Sequence, residues 1–573
     1  GGIHRVLLWL SLAGLPLSTS TMATTAYELY NLSLQELSQI KVTTSTLHDE
    51  TLGSVPSSMT VYTREDIRRL GLTDLNELIN LVPGYQGSRA DDSGLSYSMS
   101  VRGRRIGSSG REVLVLINGQ RMNNDWSGGT NQHNNLIPIE NVERVEFVRG
   151  PGSALYGSNA LMGVINIITR SDREISAAAG SHQGRHADLQ WRAESPDGSI
   201  ELYARDSRSD GENLRIFEPF PDPATPQYVD SADPFRANDF YLRASRGEFT
   251  VDAIATSRDM QRFYVAGYAD DRTNAYDTRT ENLNLGWKHV FSPQLSIEGH
   301  AFAANRELSV NSSVSLVPWL KLEGVVEERE VGAQWVLQNN DSLARWLVGA
   351  EWRNPELTDT HFFMGTNAAP HAIEAYQSIE NGRHIGGIFG QYQYQWTTDT
   401  SVIAGLRNDN YSDGSEHASP RLGIVHNLDG SNVVKLLYSN AFRAPNRIET
   451  SVISPEYQSN PDLKPETAHT LELVWVRLFE EGYWSSTLFS TSINDAIAEA
   501  ITPQLKRTWI NREERVGGFE SEWNYHWNAM WQSRFAFTRL FDRMGGPGTE
   551  ANTLLGGSVS YTLPNWTFSL LAD

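Results

Sequence analysis

From about Ile175 to the end of the chain, apolar and polar residues alternate in run after run, yet no stretch beyond residue 26 approaches the ~20 consecutive apolar residues of a membrane-crossing helix. A period of two places neighbouring side chains on opposite faces of a strand. Ala187, Leu189, Trp191 and Ala193 stand between Asp188, Gln190, Arg192 and Glu194. A turn at 195–198 follows, and Ile200, Leu202 and Ala204 resume the pattern. The connections alternate too. Short turns lie at 195–198, 245–247, 291–294, 339–342, 397–400, 428–431, 480–482, 528–530 and 563–565. Longer polar connections, such as 207–238, 257–280 and 353–383, lie between them. A soluble sandwich has no reason to keep all its long loops at one end. A closed barrel through a membrane does, with its apolar face turned to lipid and every backbone group paired inside the sheet. Trp396, Trp484, Trp527, Trp531 and Trp566 all sit close to short turns, where an interfacial aromatic girdle is expected. The pattern predicts an all-β transmembrane antiparallel barrel over residues 171–573, with about 19 strands. Barrels of this kind close with an even number, and the chain stops inside or just after a strand. The expectation is therefore that the last few strands lie beyond its end.

Charge and cysteine content exclude several function classes. There are 48 Lys+Arg against 69 Asp+Glu, a net charge of −21, which argues against nucleic acid as a partner. With no cysteine, the chain has neither a disulfide framework nor a thiolate metal or redox centre. The first 26 residues read as a secretory signal: Arg5 is the basic flank, 6–17 are apolar, and Ala23 or Ala26 ends the segment. The 14 histidines are scattered without a zinc-protease spacing, and no nucleophile–base or paired-carboxylate pattern stands out. No catalytic residue, metal ligand set or cofactor is expected. Asp91 and Asp92 alone fall well short of a calcium site.

Residues 27–170 lack the alternation. Thr63 and Thr73 are candidate caps for short helices at 64–70 and 74–81, the second ended by Pro83 and Gly84. Residues 113–117 (VLVLI) form an apolar strand that stops at the turn pair Asn118–Gly119, and 142–148 and 164–169 are further strands. This is an α+β unit of about 140 residues, ordinary domain size. Its motifs are specific. Residues 54–67, the run LINLVPGY at 78–85, VRG at 101–103, VLVLINGQR at 113–121 and above all IENVERVEFVRGPGSALYGSNALMGVINIITR at 139–170 resemble the plug of TonB-dependent outer-membrane receptors. YSNAFRAP at 438–445 and NPDLKPET at 460–467 are similar to motifs of that family's barrel. Asn118 stands where the family more often has Asp, which keeps the turn chemistry.

The resemblance implies a 22-stranded barrel with the plug, 51–170, folded in its lumen, in the outer membrane of a Gram-negative bacterium. A barrel of that width needs such a filling. It implies import of a scarce nutrient driven by TonB and its inner-membrane energising complex. The receptor would be a monomer among outer-membrane lipid and lipopolysaccharide. In the segment 27–50, Ile40, Lys41, Val42, Thr43, Thr44, Ser45 and Thr46 resemble the TonB box, a short β-prone stretch that docks by strand addition. About 20 residues separate signal from plug, so the resemblance implies import without the signalling domain of transducer members. Glu140, Glu143, Arg144, Glu146 and Arg149 are expected to fix the plug to wall charges. Apex segments at 86–96 and 122–135 offer Arg89, Arg104, Trp126 and His133 for ligand binding. Family haem receptors place a histidine between the two barrel motifs, and 446–459 contain none. A ferric siderophore is the first expectation and cobalamin the second. A passive channel or an adhesion or phage receptor is the reading from a different class, and porins lack such a plug.

Overall fold

The computed structural model describes residues 42, 44, 46, 47, 50–89, 97–104, 110–130, 137–211, 213–217, 228–232, 234–261, 275–314, 317–366, 369–377, 381–451, 457–504, 506–544 and 550–572. The plug is built on a five-stranded sheet. Its strands are β1 (Ser58–Thr63), β4 (Val113–Ile117), β5 (Gln120–Arg121), β6 (Val142–Arg149) and β7 (Gly163–Thr169), in the order β1-β6-β7-β4-β5. The pair β4–β7 is parallel and the other pairs are antiparallel. Strand β4 is buried along its whole length, which is why its sequence is an uninterrupted apolar run. A separate hairpin joins β2 (Tyr85–Arg89) and β3 (Tyr97–Val101).

Short helices complete the plug. Helix α1 (Arg64–Leu70) begins at Thr63 in a capping box with Asp66 and ends at Gly71, whose φ of 66° is the left-handed C-cap position. Helix α2 (Leu75–Ile79) is capped by Asp74 with Glu77 rather than by Thr73. Helix α3 (Ser153–Tyr156) follows the VRGPG run. The plug core gathers Leu75, Leu78, Ile79, Val145, Phe147 and Ile165, with Tyr85 set edge-on to Phe147 at 5.5 Å.

Around the plug runs one closed antiparallel barrel. Twenty-one segments make the ring among the described residues. Ala369–Gln377, Asn381–Gly382 and Ile385–Gln395 together form one return strand against Ala344–Thr366, which leaves nineteen strands. All nine short turns anticipated from the sequence join neighbouring strands. An odd number of strands, each antiparallel to the one before, means that the first, Glu174–Ala179, and the last, Trp566–Ala572, run in the same direction where they adjoin. Helix α1 lies under this seam. Arg68 pairs with Glu174 at 2.6 Å, and Ser569 donates to the Arg69 carbonyl at 2.5 Å.

The alternation has the expected geometric meaning. Leu285, Ile388 and Leu555 point outward and are 50%, 67% and 67% exposed, whereas their neighbours along each strand face the lumen and are buried or half-buried. Trp396, Trp527 and Trp566 are also exposed, beside the short turns. Inward positions are largely polar or charged. The outer surface of the barrel is thus the apolar one, the inverse of a soluble protein and the arrangement that lipid favours.

Candidate functional site: the plug–wall interface and the N-terminal segment

The motif VRG places its arginine by backbone conformation. Arg102 and Gly103 are both left-handed, φ 52° and 73°, a costly state for a β-carbon-bearing residue that the surroundings must hold. The turn sends the Arg102 guanidinium into the wall, 2.6 Å from Glu472 and 2.8 Å from Glu520, and over the Phe489 ring at 3.9 Å. Arg149, from VRGPG, reaches Glu520 at 3.3 Å. All four charges are essentially inaccessible to water. Two glycines give this quartet its room. A β-carbon on Gly84 would sit 2.3 Å from the Glu520 carboxylate, and one on Gly150 would sit 3.2 Å from that of Glu472. Both have positive φ.

A second cluster draws in the two barrel motifs. Arg104 contacts Glu466 at 2.5 Å, Glu514 at 3.0 Å and Glu112 at 3.2 Å. Arg443, from FRAP, binds Glu466 and, at 3.0 Å, Glu449, which also holds Arg111 at 2.8 Å. Glu466 comes from NPDLKPET. Four buried carboxylates thus meet three buried guanidiniums. Burial drives Glu112 up to about 7, helped by Glu466 and opposed by Arg104.

Elsewhere wall cations grip plug carbonyls. Lys435 donates to Leu52 O at 2.9 Å and Val55 O at 2.7 Å, and Arg421 to Pro56 O at 2.5 Å. Arg407 donates to Leu155 O at 3.0 Å. Arg534 holds Asp66 at 2.9 Å and Val61 O at 3.0 Å. Burial raises the Asp66 pKa, but Arg534, Arg69 and the Thr63 cap outweigh it and leave the carboxyl below its ordinary range.

The N-terminal segment lies inside the barrel. Val42, Thr44 and Thr46 are buried, whereas Ile40, Lys41, Thr43 and Ser45 lie outside the described residues. Val42 and Glu50 exchange backbone hydrogen bonds at 2.8 and 3.0 Å. Thr44 donates its N–H to Glu146 at 3.1 Å and its hydroxyl to the same carboxylate at 2.5 Å. Its carbonyl accepts from the Tyr156 hydroxyl at 2.7 Å, and its hydroxyl oxygen accepts from Asn166 at 3.0 Å. Arg345 of the wall closes on Glu50 at 2.9 Å.

Several residues sit differently from expectation. Of the five charges assigned to plug–wall contact, Arg149 and Glu140 reach the wall, Glu140 through Arg205 at 3.2 Å. Arg144 instead pairs with Glu146 along their own strand at 2.8 Å, and Glu146 faces the N-terminal segment. Glu143 is exposed. The cause is a break in the strand register: Val142 pairs with Thr169 and Arg144 with Ile168, so Glu143 bulges out of the ladder instead of sharing a face with the buried Val145. Arg104, expected at the ligand, has its guanidinium enclosed by three carboxylates, Glu112 of the plug and Glu466 and Glu514 of the wall. Trp126 is likewise buried, stacked on Phe362 at 6.2 Å beside Val326 and Leu357. The Arg89 side chain and His133 lie outside the described residues. The wall residues Glu472, Glu514, Glu520 and Lys435 were missed. Each is one polar residue among many at inward strand positions, and only the FRAP and NPDLKPET matches pointed near them.

Among the described residues no group of three or more His, Cys, Asp or Glu is placed to hold a metal ion. The arrangement can hold one body inside another through buried charges and can conceal or release a short segment. Comparison with known proteins agrees. Residues 51–164 match the TonB-dependent receptor plug domain, and 208–573 the TonB-dependent receptor-like β-barrel. The vitamin B12 transporter BtuB of Vibrio vulnificus is 26% identical over 451 residues, covering 75% of this chain and 66% of that protein. The iron-regulated outer membrane virulence protein of Vibrio cholerae is 25% identical over 522 residues, covering 81% and 70%. The chain thus spans about two thirds of the length of these curated relatives. The siderophore receptor PirA from Acinetobacter baumannii superposes with a TM-score of 0.67 at 18% identity, over 90% of this chain and 85% of PirA. With both halves matched in order and the plug seated in the barrel, the chain belongs to the TonB-dependent receptor family.

Proposed function

We propose that this protein imports a metal chelate across the outer membrane of a Gram-negative bacterium, with energy delivered by TonB and its inner-membrane complex. The observation that carries this reading is the N-terminal segment folded against a plug that is itself locked to the wall. A passive channel needs neither. Ligand bound above the plug would loosen the Glu146–Thr44 and Tyr156–Thr44 contacts, and residues 40–46 would then reach the periplasm and add a strand to TonB. A pull on that strand is transmitted to the plug, and cargo passes with no bond made or broken. The outward apolar face and its aromatic girdle support residence as a monomer in outer-membrane lipid and lipopolysaccharide.

The first cargo is a ferric siderophore, a class named for PirA. Cobalamin is the second reading, favoured by the vitamin B12 transporter among the sequence relatives. Arg89 and His133 remain the apex residues proposed to meet cargo. Uptake of radiolabelled ferric siderophores and of labelled cyanocobalamin, in cells with and without residues 40–46, tests the proposal. Uptake of one cargo that disappears with the segment is the expected result. Uptake that persists without the segment would sink energy coupling and favour a passive channel.

A further inference from the structure

The plug is attached to its barrel lopsidedly. The densest set of buried charge-assisted bonds ties it to wall strands between residues 400 and 544 through Arg407, Lys435, Glu472, Glu520 and Arg534, with further ties from Arg205, Glu328 and Arg345. On the opposite side stand three successive strands, Phe235–Arg246, Phe249–Gln261 and Ala275–Val290. Where these strands meet the plug at Met122, the approach is a weak one, Asn282 Nδ2 to Met122 Sδ at 3.6 Å.

Two gaps lie along this side. The upper one separates Ile117, Met122 and Ile137 of the plug from Tyr241, Thr256 and Thr280 of the wall. The lower and smaller one separates Gln120 and Asn141 from Tyr203, Tyr241 and Ile254, so that Tyr241 borders both. Below it, toward the short turn, the Arg243–Asp252 pair closes the row at 2.5 Å. Buried polar atoms that meet no protein partner among the described residues gather here: Gln120 Nε2, both side-chain ends of Asn141, Tyr203 Oη, Thr278 Oγ1 and Asn282 Oδ1. Polar and roomy, such a space holds water. The inward face of Ala275–Val290 reads Thr278, Thr280, Asn282 and Asn284, a ladder of uncharged donors and acceptors roughly 7 Å apart. Paired charges flank this ladder, Arg306 with Glu328 at the upper gap and Arg243 with Asp252 at the lower one.

We infer that the solute crosses between plug and wall along this ladder, from the upper gap past Tyr241 to the Arg243–Asp252 pair, while the plug stays anchored on its charged side. The inference rests on the transport reading above. An uncharged ladder suits a solute that presents hydroxyl, amide or carbonyl groups and carries little net charge, because hydrogen bonds can be exchanged stepwise without stranding an ion.

The absence of cysteine makes the test direct. Thr280→Cys and Asn282→Cys on the ladder are compared with Thr470→Cys and Thr487→Cys on the anchored side, all four positions being buried to a similar degree. A small water-soluble methanethiosulfonate is applied to outer membranes carrying the full chain. Modification of the ladder positions about tenfold faster than the anchored ones is expected of a wet seam. Equal rates, or the reverse order, would overturn it.

A second measurement tethers the plug. Met122→Cys/Asn282→Cys is joined by a short bis-methanethiosulfonate, and Pro56→Cys/Gly423→Cys by a disulfide. A β-carbon on Gly423 lies 3.8 Å from that of Pro56, the spacing a disulfide needs. Labelled cyanocobalamin and a neutral ferric trihydroxamate are the probes. Uptake lost with the first tether and retained with the second supports the route. Uptake lost with the second, or retained with the first, refutes it. Should the untethered protein take up neither probe, the transport reading fails, and the labelling rates alone decide the seam.

Discussion

Glu112 shows how a single side chain sets a pH dependence. Burial lifts its pKa from 4.5 to about 7, so in the folded state it holds a proton that it would lose in the unfolded chain across that window. The stabilisation is fully present below pH 4.5 and is lost as the pH rises to about 7, with a ceiling of about 3 kcal/mol. Urea titration of plug release, followed by protease sensitivity, is expected to give midpoints that fall from pH 5 to 7.5. With Glu112→Gln the slope flattens, and a slope that persisted would assign the proton to another group. Arg102→Ala strands Glu472 without its cation, leaves Glu520 to Arg149 alone, and is expected to weaken plug docking by about 3–5 kcal/mol in the same titration. Of these residues, the sequence marked Arg102 through its VRG motif. Glu112 was silent because its upward shift comes from burial inside the closed barrel, with Glu466 of the wall adding to it, and neither is visible in its local sequence.

At the scale of elements, the N-terminal segment is held by a small number of bonds to β6, α3 and β7, from Glu146, Tyr156 and Asn166. A bond to a charged carboxylate contributes about 1.5–3 kcal/mol, so Glu146→Gln is expected to expose the segment about tenfold or more. The readout is the rate at which a cysteine placed at Val42, fully buried in the intact protein, reacts with a water-soluble thiol reagent. An unchanged rate would mean that Glu146 does not hold the segment. The sequence picked out residues 40–46 as a strand-forming stretch. The concealment of Val42, Thr44 and Thr46 was not legible, because it depends on a carboxylate that the sequence equally suited to pairing with the wall.

For the molecule as a whole, the outward apolar band governs where the barrel can reside. Leu285 points outward on that face, and Leu285→Arg is expected to cost up to ~2–4 kcal/mol in folding into lipid vesicles. Thr280→Arg, one face away, places its charge in the lumen instead and is expected to leave folding nearly unchanged while obstructing the proposed route. Comparable costs for the two would contradict the inside–outside assignment. Strand count and turn positions were readable to this level: nineteen strands and nine short turns, as the alternation implied.

What the sequence determined by itself is what repeats locally. Period-two alternation assigns strands and their outward faces, turn residues place the short connections, and dense plug motifs mark the first domain, because each depends on neighbours within a few residues. Only the tertiary structure decided which charges meet. Arg102 finds Glu472 and Glu520, Arg104 finds Glu466, and Glu146 finds Thr44 across separations of 102 to 418 residues. Nothing in a charge's local surroundings specifies its partner. Register and closure of the barrel do, and they are properties of the whole ring.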